Sequence, residues 1–319
     1  MINNIIRDYH SGIGLKKLSM IYHRDWKTIR NILLAAGIKI KIQTKKKINK
    51  QEAIKLYKTG ISTYKIAKKF NCAPQTVRLC LLRDGTARRG YKEAQCHRYN
   101  YNISQLVDIN SEIGAYWLGF LLADGHIYPS RYRLRCNLQL RDIGQLFQLA
   151  KDLNSNNMPR KVKKTVLGKQ YMSCYLVIEN KKLIEFYRKI GWCDFKKGKI
   201  ELFKKFLRHI SIRHFLRGLW DGDGIVTHSR KNLRLGICDR HRNIIIFIQE
   251  LLHQLLRLPI NKVTVNRNKK TLRPNNYQAW WVGEEGKDAK NLGRYLYMNC
   301  SRHLFRKSQK VLRYLENVT

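Results

Sequence analysis

Acidic residues are scarce in this 319-residue chain: 22 Asp and Glu stand against 64 Lys and Arg, a formal net charge of +42. A folded chain tolerates such an excess best when a polyanion neutralises it, so nucleic acid is the favoured partner over an anionic membrane. The blandest form of that partnership is a ribosomal or chromatin protein that coats phosphate. Long apolar runs are missing too: none approaches the roughly 20 residues that a membrane-spanning helix needs. The opening MINNIIRDYH has no basic stretch followed by an apolar core, so no secretory signal is expected. The protein is therefore expected inside a cell, in a bacterial or phage cytoplasm or an organelle. Eight cysteines include no CxxC pair and no Cys/His spacing suited to zinc, which leaves them as small reduced residues. A chain of this length can hold two or three domains, each with its own core.

What the chain does have is repetition. Before residue 100, Tyr9, Gly12, Ile13, Lys17, Thr28, Arg30, Leu33 and Gly37 recur without a gap as Tyr57, Gly60, Ile61, Lys65, Thr76, Arg78, Leu81 and Gly85. Each copy reads as a helix ending at a Gly-Ile turn, a short second helix and a third helix. Ala73-Pro74 suits the start of the last one, where no backbone donor is needed. This cadence resembles helix-turn-helix modules, which place the last helix in the major groove. On it Lys27, Thr28 and Arg30, then Gln75, Thr76 and Arg78, are the expected DNA contacts, unless these helices are a protein-docking bundle with a solvated basic surface. We assign residues 1–44 and 45–92 to the two modules and 93–109 to a basic linker. The Lys-rich join between the modules, 39–50, is expected to track phosphate.

A second repeat pairs Trp117–Gly125 (WLGFLLADG) with Leu216–Gly224 (LRGLWDGDG). Each closes a helix-like run on Asp-Gly, which alone marks countless turns. Ala115, Gly119 and Ala123, matched by Gly218 and Gly222, form a stripe of small residues that lets two helices meet closely. Asp124 and Asp223 would then arrive together at one end of the seam, the outline of a metal-dependent site. Ser111 and Ser211 are the expected N-caps of the two helices, and Asp142 with Gln145 has capping-box spacing for a later one. From Tyr132 to Arg141 apolar residues alternate with Arg133, Arg135, Asn137, Gln139 and Arg141, side chains of the kind that read base edges. Arg234, Gly236 and Cys238 form a weaker counterpart. Further basic strands are expected around 161–164 and 262–270. The fold class is α+β: a pseudo-symmetric pair of units, 110–205 and 206–319, behind all-α modules.

These residues look like the LAGLIDADG homing endonucleases in their single-chain, two-motif form, a resemblance covering roughly residues 110–319. It implies two αββαββα units whose sheets form a saddle over double-stranded DNA. It also implies Mg2+, with Mn2+ as a substitute, held by Asp124 and Asp223 and by the backbone of Gly125 and Gly224. Gln139 resembles the family's water-organising amide, its second-half partner falling at Gly236 or Cys238. Lys307 and, in the first half, Lys197, preferred among Lys196, Lys197 and Lys199, resemble its basic residues at phosphate. The sixth motif position differs, Leu122 against Asp221, and usually packs or caps. The implied product is a double-strand break with short 3′ overhangs, made by a monomer at a long asymmetric site. Intein signals are absent, so a free-standing or intron-encoded protein is expected. Two alternatives stay open: a maturase that binds intron RNA, and a transcription regulator that kept the scaffold without the chemistry.

Overall fold

The structure is a computed structural model. It describes residues 1–40, 48–166, 168–228, 232–266 and 279–316, and these fall into two units, Met1–Thr86 and Ala87–Thr319. Part of the Lys-rich join (41–47) and of the basic segment 262–270 (267–270) lies outside the described residues.

The first unit holds two three-helix modules. The first comprises α1 (Ile2–His10), α2 (Leu15–Ile21) and α3 (Trp26–Ala35); the second comprises α4 (Lys50–Lys58), α5 (Thr63–Lys69) and α6 (Pro74–Arg83). Their small cores occupy equivalent positions. Ile5, Leu18, Ile29 and Leu33 are buried in one, and Ala53, Ile66, Val77 and Leu81 in the other. Gly12 and Gly60 close the first helices at φ +94° and +103°, a conformation other residues rarely adopt. Asp25 caps α3 through a 2.8 Å bond from the Lys27 amide, whereas Pro74 opens α6 with no side-chain cap.

The second unit begins with two short helices, α7 (Tyr91–Cys96) and α8 (Ser104–Val107), and then runs through the same order twice. The first copy is α9 (Glu112–Asp124), β1 (Gly125–Tyr128), β2 (Arg133–Gln139), α10 (Ile143–Asp152), β3 (Arg160–Val166), β4 (Lys169–Glu179) and α11 (Lys181–Lys189). After the connecting turns α12 (Trp192–Phe195) and α13 (Glu201–Lys204) come α14 (Ile212–Asp223), β5 (Gly224–His228), β6 (Leu233–Asp239), α15 (Arg242–Leu256), β7 (Thr264–Asn266), β8 (Ala279–Glu285) and α16 (Gly286–Tyr297), with α17 (Phe305–Glu316) last. The result is α+β, with two antiparallel four-stranded sheets ordered β1-β2-β4-β3 and β5-β6-β8-β7. Leu134, Cys136 and Leu138 of β2, and Leu233, Leu235 and Ile237 of β6, bury one face of each sheet in a core continuous with the motif helices.

Packing of α9 on α14 is symmetric residue by residue. A Cβ on Gly119 would collide with the Phe215 carbonyl oxygen, and one on Gly218 with that of Tyr116. Phe215 and Tyr116 are themselves the matching residues of the two motifs, so one contact occurs twice, as two-fold related surfaces require. The core on either side is apolar and close-packed, so these glycines set the helix separation.

Two capping expectations need correction. Ser111 accepts the Gly114 amide at 3.1 Å, but Ser211 makes no side-chain cap bond. Asp142 stands at the N-cap of α10 without bonding its amides; its carboxylate instead accepts from Arg306 Nε at 2.9 Å. Gln145, the other half of the expected capping box, donates to the Tyr116 hydroxyl at 2.6 Å. Tertiary partners outcompeted the local cap. The Arg306 bond is one of several that lace residues 301–306 to the first repeat. Arg302 pairs with Asp152, which also accepts the Trp117 indole N–H at 2.7 Å, and Glu112 accepts the Ser301 amide at 2.6 Å.

Candidate active site and nucleic-acid interface

Asp124 and Asp223 are the last residues of α9 and α14, and the stripe of small residues brings these ends together. A Cβ on Gly222 would collide with that of Ala123 and lie 3.4 Å from Oδ2 of Asp124. Among the described residues neither carboxylate takes a hydrogen bond or ion-pair partner. Crowding by protein pushes the Asp124 carboxyl up to about 7, and the negative charge of Asp223 adds to the rise. Asp223 keeps more contact with solvent and is pushed up to about 6, again chiefly by desolvation. Two neighbouring carboxylates left short of compensation are a place for cationic charge.

Asp221, two residues away, is the contrast. Fully enclosed, it accepts from Tyr116 Oη at 3.0 Å, Tyr297 Oη at 2.8 Å and the Leu304 amide at 2.6 Å. Satisfied in this way it is structural, tying α14 to α9, α16 and the segment leading into α17. Leu122 fills the matching place without any such bonds.

The expected lysines are placed differently. Lys197 is exposed. Its neighbour Lys196 reaches them, donating to the Leu122 and Ala123 carbonyls at 2.6 and 3.0 Å. Lys307 performs the same task for α14, with Nζ 2.6–3.1 Å from the carbonyl oxygens of Trp220, Asp221, Gly222 and Gly224. A helix leaves its last carbonyls unpaired, and an ammonium group is a natural cap for them. Burial lowers the Lys307 ammonium to about 8. It is therefore a helix cap rather than a free phosphate contact, and the Gly224 carbonyl accepts from it with one of its two lone pairs. Gly125 and Gly224 are needed for space: a side chain there would strike the carbonyls of Leu121 and Trp220.

Strand register corrects the partner of Gln139. Gly125 faces Cys136 in the first sheet, whereas Gly224 faces Ile237 in the second. The second hairpin is thus two residues longer, and the match to Gln139 moves past Gly236 and Cys238 to Arg240. The same shift sets Asp239 against Leu138. Asp239 was not anticipated; it lies close enough to Asp223 to raise that carboxyl further, and its Oδ1 accepts the His241 amide at 2.6 Å. The two halves of the site are unequal, with Asp239 and Arg240 in one where Leu138 and Gln139 stand in the other.

On the outward sheet rows, Arg133 and Arg234 occupy equivalent places and are both ion-paired, to Glu179 at 2.5 Å and Glu285 at 2.9 Å. Arg135 and Asn137 lie between Arg133 and Gln139 and are half-buried, while Gln139 is exposed. Arg141 has left the strand for a 3-10 turn, Leu140–Asp142, and is also exposed. In the first unit Lys27, Thr28 and Arg30 on α3, and Gln75, Thr76 and Arg78 on α6, are all exposed, while Ile29 and Val77 among them are buried.

The residues fit a hard divalent cation. Magnesium takes oxygen ligands, often only one or two carboxylates completed by water and phosphate. Among the described residues no group of three or more His, Cys, Asp or Glu side chains is assembled to hold a metal. The chain would supply Asp124 and Asp223, and a bound phosphate backbone the rest.

A family profile for LAGLIDADG-like domains matches residues 211–318. A profile for the helix-turn-helix domain of resolvase matches 45–78. The chain carries both a LAGLIDADG-like domain and a resolvase-type helix-turn-helix. The LAGLIDADG-like match covers the second αββαββα unit, and the first unit repeats its element order. No curated protein matches the sequence. Among solved structures, similarity extends to full-length DUF199/WhiA from Thermatoga maritima at 16% identity, covering 67% of this chain and 64% of that one, with a TM-score of 0.38. The chain thus spans just under two thirds of that protein's length. The homing endonuclease I-WcaI bound to its DNA recognition sequence is 14% identical, covering 65% and 87%, with a TM-score of 0.44. The N-terminal LAGLIDADG domain of DUF199/WhiA is 16% identical, covering 70% and 98%, with a TM-score of 0.38. No described helix is long and apolar enough to cross a membrane.

Proposed function

We propose that this protein is a sequence-specific, divalent-metal-dependent DNA endonuclease of the homing type. It would cut both strands of a long asymmetric site laid across the two sheets, with the helix-turn-helix modules lengthening the recognised sequence. The observation that carries this reading is the pair Asp124 and Asp223: matched helix ends present two carboxylates that no side chain among the described residues hydrogen-bonds, although the adjacent Asp221 is fully bonded.

When bound, Mg2+ or Mn2+ would supply activation of a water and stabilisation of the leaving oxygen. The protein's own work is to hold its ligands still. Lys196 and Lys307 fix the carbonyl ends of α9 and α14, so the aspartates cannot drift as the helix ends fray. Gln139 and Arg240 stand at matching strand ends, where each can orient water or phosphate beside one aspartate. Asp239 adds negative charge beside Asp223, whereas the carboxylate that adds to it beside Asp124, Asp142, is paired with Arg306, so the two strands are expected to be cut at different rates. The net charge of +42 supplies the attraction for the phosphate backbone.

The test selects duplexes from a randomised library by binding to the full chain, then adds Mg2+. Cutting of both strands is expected, with Asp124→Asn and Asp223→Asn each binding normally and losing cleavage. Tight, sequence-specific binding with no cutting in Mg2+ or Mn2+ would overturn the nuclease and leave a DNA-binding regulator.

A further inference from the structure

The two sheets share a ladder but present different surfaces. In the first, Arg135 and Asn137 follow Arg133 along the outward row of β2, and Asn137 faces Tyr175 on β4. The Arg135 guanidinium lies 4.1 Å from the centre of the Tyr175 ring, and its Nε donates to Asn137 Oδ1 at 2.9 Å. At the equivalent places in the second sheet stand Gly236 and Cys238, with Cys238 facing Trp281 and Gly236 facing Gly283 on β8.

Those two glycines leave bare backbone, and Trp281 covers it. A Cβ on Gly236 would collide with the indole, and one on Gly283 would lie 2.7 Å from its Cζ2. The ring thus lies flat along the sheet, over the spot where the first sheet carries the Arg135 side chain. Arg234 approaches it to 5.5 Å while ion-paired to Glu285. Trp280, the preceding residue, turns the other way and packs on the core, which Trp281 does not join. The indole is thus held half-buried on the outward row of a basic sheet, apart from the core.

Base edges in the major groove are read mainly by hydrogen bonds, as Arg135 and Asn137 are equipped to do. The one base-edge group that rewards an apolar face is the thymine C5 methyl. We propose that Trp281, held flat by Gly236 and Gly283, selects thymine-bearing base pairs in the half-site under the second sheet, while Arg135 and Asn137 read purine edges in the other half. This rests on the proposal that the sheets face duplex DNA.

The experiment uses the full chain and a duplex selected from a randomised library without divalent metal. Each thymine of that duplex is replaced singly by uracil, which lacks only the methyl group. Wild-type affinity is expected to fall about fourfold at one or two positions confined to one half-site, the scale of one lost apolar contact. Trp281→Ala is expected to bind the thymine duplex more weakly and to be indifferent to uracil there; Trp281→Phe is expected to keep part of the discrimination. Gly236→Ala, which displaces the ring, is expected to reproduce the Trp281→Ala profile, and Arg135→Ala to alter preference only in the other half-site. An enriched sequence whose uracil profile is unchanged in Trp281→Ala and Gly236→Ala overturns this inference and leaves the DNA reading intact. Failure to enrich any sequence overturns both.

Discussion

Lys307 donates from Nζ to the carbonyl of Gly224 at 2.6 Å, across 83 residues of chain and at the point where a motif helix turns into a strand. Three more carbonyls of the same helix end converge on that ammonium, so it replaces the hydrogen bonds the helix can no longer make. Lys307→Met should leave several buried acceptors unpaired and lower stability by about 3 kcal/mol, the scale for losing charge-assisted bonds in a buried place. Lys197→Met, on the surface, should change stability by less than about 0.5 kcal/mol. Chemical denaturation of the two variants checks the pair; equal effects would contradict the assignment of the cap.

The two aspartates link stability to pH. Their carboxyls titrate near 7 and 6 in the folded protein, against about 3.9 unfolded. The folded state therefore holds these protons more tightly. Stability from this source is complete below about pH 4 and is lost as pH rises through 6 to 7. Metal-free protein should melt several degrees lower at pH 8 than at pH 5.5. Asp124→Asn should raise the melting temperature at pH 8 and abolish stabilisation by added Mg2+. Calorimetry with and without Mg2+ reads both effects, and a variant less stable than wild type at pH 8 would refute the unpaired state of Asp124.

Close approach at the seam predicts a sharp difference among glycines. Gly119→Ala and Gly218→Ala each thrust a methyl group into a carbonyl of the opposite helix, and should cost about 3 kcal/mol or more, at the upper end of overpacking. Gly144→Ala, at an exposed position of α10 with open space around it, should instead stabilise by up to about 1 kcal/mol. Thermal melts of the three variants suffice.

For the helix-turn-helix unit, Arg30→Ala and Arg78→Ala should each weaken specific DNA binding by about 1–3 kcal/mol if they read bases, and relax sequence preference at the outer end of the site. Cleavage once bound should be unchanged. Footprinting that shows the same protected length for wild type and the double variant would remove these modules from recognition.

Both repeats, the charge and the meeting of Asp124 with Asp223 were legible in the sequence. Each depends on local or periodic information: residues 48 apart fill equivalent small cores, and small side chains every four residues make a stripe wherever a helix forms. Tertiary structure alone decided which groups serve those elements. Lys196, not Lys197, caps α9 because the turn after α12 presents that residue to the helix end. Arg240 and Asp239 oppose Gln139 and Leu138 because the second hairpin is two residues longer. An insertion of two preserves the alternation of a strand, so the apolar pattern reads the same before and after it. The partners of Asp142 and Asp221 arrive from more than 75 residues away, and no spacing within a helix encodes where a distant segment will come to rest.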